Sequence, residues 1–345
     1  MRVNSLRYVY TGGRNVIRAV WTALPGVAIL VSGAVVAHAV SPIIGVNSLL
    51  LAIVLGFVLA NTLGIPRVAA WGIATHPYWL VSGIVLMGVS LTLDSVFELG
   101  ATVLFIVVAV AGFTLVAVEL FARFLSVGER LSSLLAAGAS ICGVSAVIGV
   151  SRAIRATQAQ VAYAAATILL FDAITLVVYP VIGNVLGLSS VVFGVWAGVS
   201  MFSTGPVVAV GFAHSDLAGQ WATITKLARN TLIGLVVVVY ASHYARAADE
   251  PSTSSVRTLW ESFPKFVFGF LLFMVLASVG AFTTSQQAAI EMTYEWLFLI
   301  AFVGLGTDIR LAALRRAGLK PAIAVLCALL IVSTFSLGLL IIIFS

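Results

Sequence analysis

The chain has 345 residues, of which 61% are hydrophobic and only 9% charged, with a formal net charge of +6. Soluble chains carry about 25% charged residues and long apolar runs signal membrane spans, so a water-soluble globular protein is excluded. The basic residues lie in loops between apolar segments, where they set topology rather than gather a polyanion, and no nucleic-acid-binding motif is present.

Arg2, Arg7, Arg14 and Arg18 precede the first apolar run, whose end, Ala37-His38-Ala39, resembles a signal-peptide cleavage site. A multi-span protein needs no separate signal, so the run is read as an uncleaved first span behind a cytoplasmic segment, 1–23. Eleven apolar segments then follow one another at about 24–40, 46–63, 77–93, 99–124, 131–150, 158–184, 190–213, 218–245, 264–282, 290–307 and 319–344. Crossing a bilayer takes about 20 residues, and most of these runs reach that length. The organisation expected is one all-α transmembrane domain over 1–345. Its first part, 24–245, is joined by a polar cytoplasmic linker, 246–262, to a last part, 263–345, with three spans.

The fifth segment is interrupted from within. Leu131 to Arg155 carries Gly138, Ser140, Cys142, Gly143 and Ser145 at its middle, residues that weaken a helix or compete for its backbone hydrogen bonds. Irregular backbone at membrane depth must face protein or a wet cavity, so a break there marks a site. The seventh segment repeats the pattern: Ala197, Gly198 and Ser200 fall where Ala137, Gly138 and Ser140 do, and Ser203-Thr204-Gly205-Pro206 reads as a helix start, with hydroxyls able to cap and proline in the first turn. Paired helix starts at mid-membrane direct N–H groups and partial positive charge at whatever lies between them, which suits an anion. An inert kinked helix is the competing reading, since Gly and Ser also serve helix packing in membranes.

Charge placement sets the orientation. Arg67, Arg123, Arg130, Arg246, Arg257, Lys265, Arg310, Arg315, Arg316 and Lys320 flank alternate connections, and the connections near 41–46, 94–98, 185–189 and 283–289 have none, which places the N-terminus in the cytoplasm. Arg152 and Arg155 fit this scheme if both interrupted segments turn back, and fall outside if both cross. Residues 84–108 resemble 299–325, and 49–64 more weakly resemble 268–282. The offset is odd, so the repeats would be inverted, each half giving one discontinuous element to a shared midplane site.

Few charges lie within the apolar segments, and each is expensive there. Asp172 sits in mid-segment; Lys226, Arg229 and Asn230 share one helical face. Asp172 reads equally as an ion-pair partner of Lys226 or Arg229 and as a site for a coupling proton or cation. The basic pair either snorkels to an interface or attracts the anion. Glu119 and Arg123 form an i, i+4 pair, and Trp71, Tyr78, Trp79, Trp221 and Tyr244 fit interfacial anchoring. Cys142 and Cys327 both lie within apolar segments, so neither a stapling disulfide nor metal-ligand spacing is expected. No nucleophile–base motif, P-loop or dinucleotide fingerprint occurs, so neither enzyme activity nor a cofactor is expected.

At GASICGVSA, residues 138–146, the chain resembles the YeiH family of inner-membrane proteins, which bears a sulfate-exporter label. LAIVLGFVLANTLG at 51–64, Val178-Tyr179-Pro180, the Lys226–Arg229 stretch and GLGTDIRLAALRRAGLKP at 304–321 extend the resemblance along most of the chain. It implies a carrier of ten or eleven segments in the cell (inner) membrane, with an inverted-repeat transporter fold. Many members carry a His-Glu pair in the second interrupted stretch, where this chain has Phe202 and Ser203, and Asp172 stands where relatives often have a small residue. Substrate and coupling are therefore open. The expectation is a secondary transporter of a small inorganic or organic anion, such as sulfate or another sulfur oxyanion, working by alternating access. The substrate site would be formed by Ser140, Cys142, Gly143, Ser145, Ser203, Thr204, Gly205, Lys226 and Arg229, with Asp172 for coupling. The competing expectation is a membrane sensor or assembly partner that keeps the fold without transporting. A homo-oligomer is left open.

Overall fold

The computed structural model describes residues 13–91, 93–247, 263–311 and 318–344. Most of the expected linker, the first twelve residues and Arg315 and Arg316 lie outside them. The described residues are helical and contain no strand. In chain order the helices are α1 (Gly13–Ile44), α2 (Ser48–Val58), α3 (Ala70–Ile73), α4 (His76–Met87), α5 (Leu93–Phe124), α6 (Glu129–Ser140), α7 (Val144–Ala153), α8 (Gln158–Val185), α9 (Ser190–Ser200), α10 (Thr204–His214), α11 (Asp216–Thr231), α12 (Ile233–Ala247), α13 (Phe266–Ser278), α14 (Thr284–Asp308) and α15 (Leu319–Phe344).

Seven helical stretches among the described residues are long and apolar enough to cross a bilayer: Trp21–Ile44, Ala70–Ser90, Gly100–Phe124, Gln158–Val185, Asp216–Arg246, Thr284–Asp308 and Leu319–Phe344. Not all of the eleven expected apolar segments form spanning helices among the described residues. The second and ninth expected segments form shorter helices, Ser48–Leu63 and Phe266–Ser278, and the two interrupted segments each divide into two short helices. Their apolar runs are read correctly, but small residues end the helices before they can span.

The chain divides into two compact units. One comprises residues 1–83 and 293–308. Within it Asn47 caps α2, its side-chain oxygen accepting from Leu49 N at 2.9 Å. Gly56 lies against the Val303 carbonyl, and Gly306 against the Ile53 carbonyl, so α2 and the end of α14 cross with almost no side-chain separation. His76 places Nε2 3.3 Å from Asp308.

The other unit, residues 84–292 and 309–345, holds both interrupted segments. Gly88 packs on the Phe270 carbonyl there. The long helices α5, α8, α11–α12 and α15 enclose α6, α7, α9 and α10, whose inner residues are buried. Trp221, on α11, is buried as well at 4% exposed, so it packs in the core instead of anchoring at an interface. Trp71 and Tyr78 are exposed, as interfacial anchors require.

Candidate functional site

Both interrupted segments turn back. In the first, α6 ends at Ser140, residues 141–143 turn, and α7 begins at Val144. Its two feet meet where Arg130 Nη1 reaches the Arg155 carbonyl at 3.5 Å. In the second, α9 ends at Ser200 and α10 begins at Thr204. Its feet meet where His214 Nε2 lies 3.2 Å from the Leu188 carbonyl and Ser215 Oγ donates to Ser190 Oγ at 2.8 Å. Phe193 stacks on His214 at 4.1 Å, closing the same end.

The hairpins enter from opposite ends of the α11–α12 span. Along α9 the contacts advance from Gly194 on Ala218 and Trp221 to Gly198 on Thr225. Along α10 they run back, from Thr204 bonded to Asn230 to Gly211 beside Gly219 and Ala218. The foot of the second hairpin is therefore at the Asp216 end and its tip at residues 225–230. The first hairpin has its foot at the other end. Ser133 and Tyr244 hydroxyls lie 3.1 Å apart, and Glu119 Oε1 accepts from Ser133 at 2.8 Å and from Tyr240 at 2.9 Å. Glu119 also pairs with Arg123 at 3.2 Å, as the i, i+4 spacing requires.

The tips meet midway along that span. Gly143 has φ +69°, a conformation that costs a side chain dearly, and any Cβ there would strike Ser203 Oγ. Glycine is required twice over, for the turn and for the approach of the second tip.

Lys226 and Arg229 sit behind both tips, each 0% exposed, and donate to their carbonyls. Arg229 bonds Ala139 O and Ser140 O on the first hairpin and Met201 O, at 2.9 Å, on the second. Lys226 Nζ bonds Ile141 O at 2.7 Å and Met201 O at 2.9 Å. A helix end leaves four carbonyls without partners, and at the end of α6 these are accounted for in full. Ala137 O accepts from Ile141 N, Gly138 O from Gly143 N, and Ala139 O and Ser140 O from the guanidinium. Positive charge at helix C-termini is also favoured by the dipole. The snorkelling alternative is thus overturned: these side chains point inward because two interrupted helices end against them.

Asp172 is 3% exposed and makes no salt bridge with either base within 4.0 Å. Its Oδ1 accepts from Ser203 N at 3.1 Å, at the start of α10, and its Oδ2 is buried without a partner. The expected hydroxyl cap by Ser203 is absent, and the carboxylate of Asp172 stands at that helix start instead. This contact joins residues 31 apart in sequence, so no local spacing announces it. Thr204 accepts from Asn230 Nδ2 at 3.0 Å.

The structure sorts the expected site residues into two groups. Ser140, Gly143, Gly205, Lys226 and Arg229 are buried in the support of the tips, Ser140 Oγ being turned onto Ala137 O. Cys142, Ser145, Ser203 and Thr204 retain exposure at the tips. Tyr179, which the sequence marks only as part of Val178-Tyr179-Pro180, fixes the second hairpin: it stacks on Trp196 at 4.1 Å and its hydroxyl lies 3.0 Å from both Ser200 and Ser333. Trp196 Nε1 completes the clamp on Ser333 O at 3.0 Å.

Apolar spanning helices around two re-entrant hairpins define a multi-pass membrane protein. The chain belongs to the family described as conserved hypothetical protein 698, the YeiH family, whose model matches residues 24–325. It is 34% identical over 319 residues to a UPF0324 membrane protein of Nitratidesulfovibrio vulgaris, covering 88% of each chain. It is 30% identical to one of Corynebacterium glutamicum, covering 85% of each, and 28% identical to one of Clostridium tetani over 70% of this chain and 73% of that one. No solved structure matches.

Proposed function

We propose that this protein is a secondary transporter that moves a small anion, such as a sulfur oxyanion, across the cell membrane by alternating access. The observation that carries the reading is the meeting of two hairpin tips, entered from opposite ends, against the buried Lys226 and Arg229. Discontinuous helices facing one another at mid-depth are the plan on which many carriers build a site reachable alternately from each side. Two inverted halves would supply one hairpin each. The contact of Gly306 on the Ile53 carbonyl and that of Gly88 on the Phe270 carbonyl fall at corresponding places in the repeated segments, which supports an internal repeat. The feet of the first hairpin bring Arg152 and Arg155 to the end that carries Arg130 and Arg246, and this supports a cytoplasmic placement of that end.

The anion would lie at the tips, taking donors from Ser145 and Thr204 and from the first turn of α7. Purified protein in liposomes should take up labelled sulfate, sulfite, methanesulfonate or acetate above protein-free vesicles. Absence of both flux and binding for all four would overturn the reading and leave a protein that keeps this fold for sensing or assembly.

A further inference from the structure

We propose that Asp172 sets the charge of the accepted anion at one, so that the substrate is a monovalent anion and not a dianion. This rests on the transporter reading and narrows its substrate class. Lys226 and Arg229 are both fully buried, and every hydrogen-bond partner shown for them is a backbone carbonyl. Such partners favour the charged form but do not cancel a full charge. Buried charge in protein is paired or compensated, because desolvation is costly.

Four helix ends converge there as well. The C-termini of α6 and α9 contribute about half a negative charge each, and the N-termini of α7 and α10 about half a positive charge each, so the four offset one another. Asp172 neutralises one of the two cations, and one positive charge is left over. The manner of its binding supports this role. Asp172 holds Ser203 N, the donor that an anion at the head of α10 would take, while its second oxygen is buried with no partner. It acts as a tethered carboxylate at one of the two helix starts, leaving the start of α7 for the substrate. A monoanion then brings the site to neutrality. A dianion would leave excess negative charge where the local dielectric is low.

Methanesulfonate and sulfate share a tetrahedral sulfur head and differ by one charge, so they isolate charge from shape. Their dissociation constants can be measured at one fixed ionic strength on the full chain in detergent and on two variants. Asp172→Asn keeps an acceptor for Ser203 N but removes the charge; Asp172→Glu keeps the charge. The parent and Asp172→Glu should prefer methanesulfonate. Asp172→Asn should move the affinity ratio towards sulfate by about tenfold to a hundredfold, the range expected for one charge roughly 6–12 Å away at an effective dielectric near 20. A parent that prefers sulfate, or a ratio unchanged in a monodisperse Asp172→Asn protein that still binds, would overturn the proposal alone. Binding of neither anion to any of the three proteins would overturn the proposal, and the transporter reading falls with it only if sulfite and acetate also show neither binding nor flux.

Discussion

Lys226 and Arg229 show how far spacing carries at the level of single residues. Their place on one helical face, with Asn230, is visible in the sequence, but their task is not, because the carbonyls they satisfy lie 25 to 90 residues away. The sequence reading treats them as the anion's attractors; the structure makes them first the counterpart of two helix ends. Replacing Arg229 with Met would orphan two buried carbonyls, Ala139 O and Ser140 O, while Met201 O keeps Lys226, at about 1–3 kcal/mol each. Thermal unfolding in detergent should therefore fall by many degrees for Arg229→Met, by less for Lys226→Met, and by similar amounts at low and high salt. A loss that vanished at high salt would instead point to long-range attraction. Arg229→Lys should not rescue, since a single ammonium cannot reproduce the guanidinium fork.

Ser145 and Thr204 separate binding from support. Ser145 is exposed at the tip, so Ser145→Val should weaken anion affinity about fivefold to a hundredfold, the equivalent of one lost hydrogen bond, with little change in unfolding temperature. Thr204→Val removes an acceptor from Asn230 as well, and should lower both affinity and stability. Equal affinity in both variants, measured by calorimetry, would remove these hydroxyls from the site.

At the scale of elements, the interrupted segments were the legible part. Gly, Ser and Cys in the middle of an apolar run announce a break, and both breaks fall where the small residues cluster, at residues 141–143 and 201–203. Whether the chain then crosses or returns was left open, because each half-segment is equally apolar either way. The answer lies in tertiary contacts between the feet, from Arg130 to Arg155 and from Ser190 to Ser215. The helix cap was legible in kind and wrong in agent: a hydroxyl was expected at the head of α10, and Asp172 from α8 supplies the acceptor. Gly143→Ala tests the meeting of the tips. It introduces a side chain at positive φ in a sparsely populated backbone region, at about 1–3 kcal/mol, and forces Ser203 away, so it should lower both stability and anion binding. Gly112→Ala, at a site with open space around it, is the control and should change neither.

For the molecule as a whole, composition already excludes a soluble fold and the charge pattern predicts an orientation, but hydropathy alone does not separate spanning helices from shorter ones. Apolar runs of 13 or 16 residues look like spans to a hydropathy window, and only helix length shows that they are shorter. The arrangement that matters for function, two hairpins entering from opposite sides, makes a claim about sidedness that needs no knowledge of the substrate. In a background with Cys142 and Cys327 replaced by Ala, single cysteines at Arg155 and Ser190 mark the two feet. A membrane-impermeant maleimide applied to intact cells should label Ser190→Cys and spare Arg155→Cys, and inside-out vesicles should reverse the pattern. Labelling of both positions from the same side would contradict the opposed hairpins, and with them the account of the site.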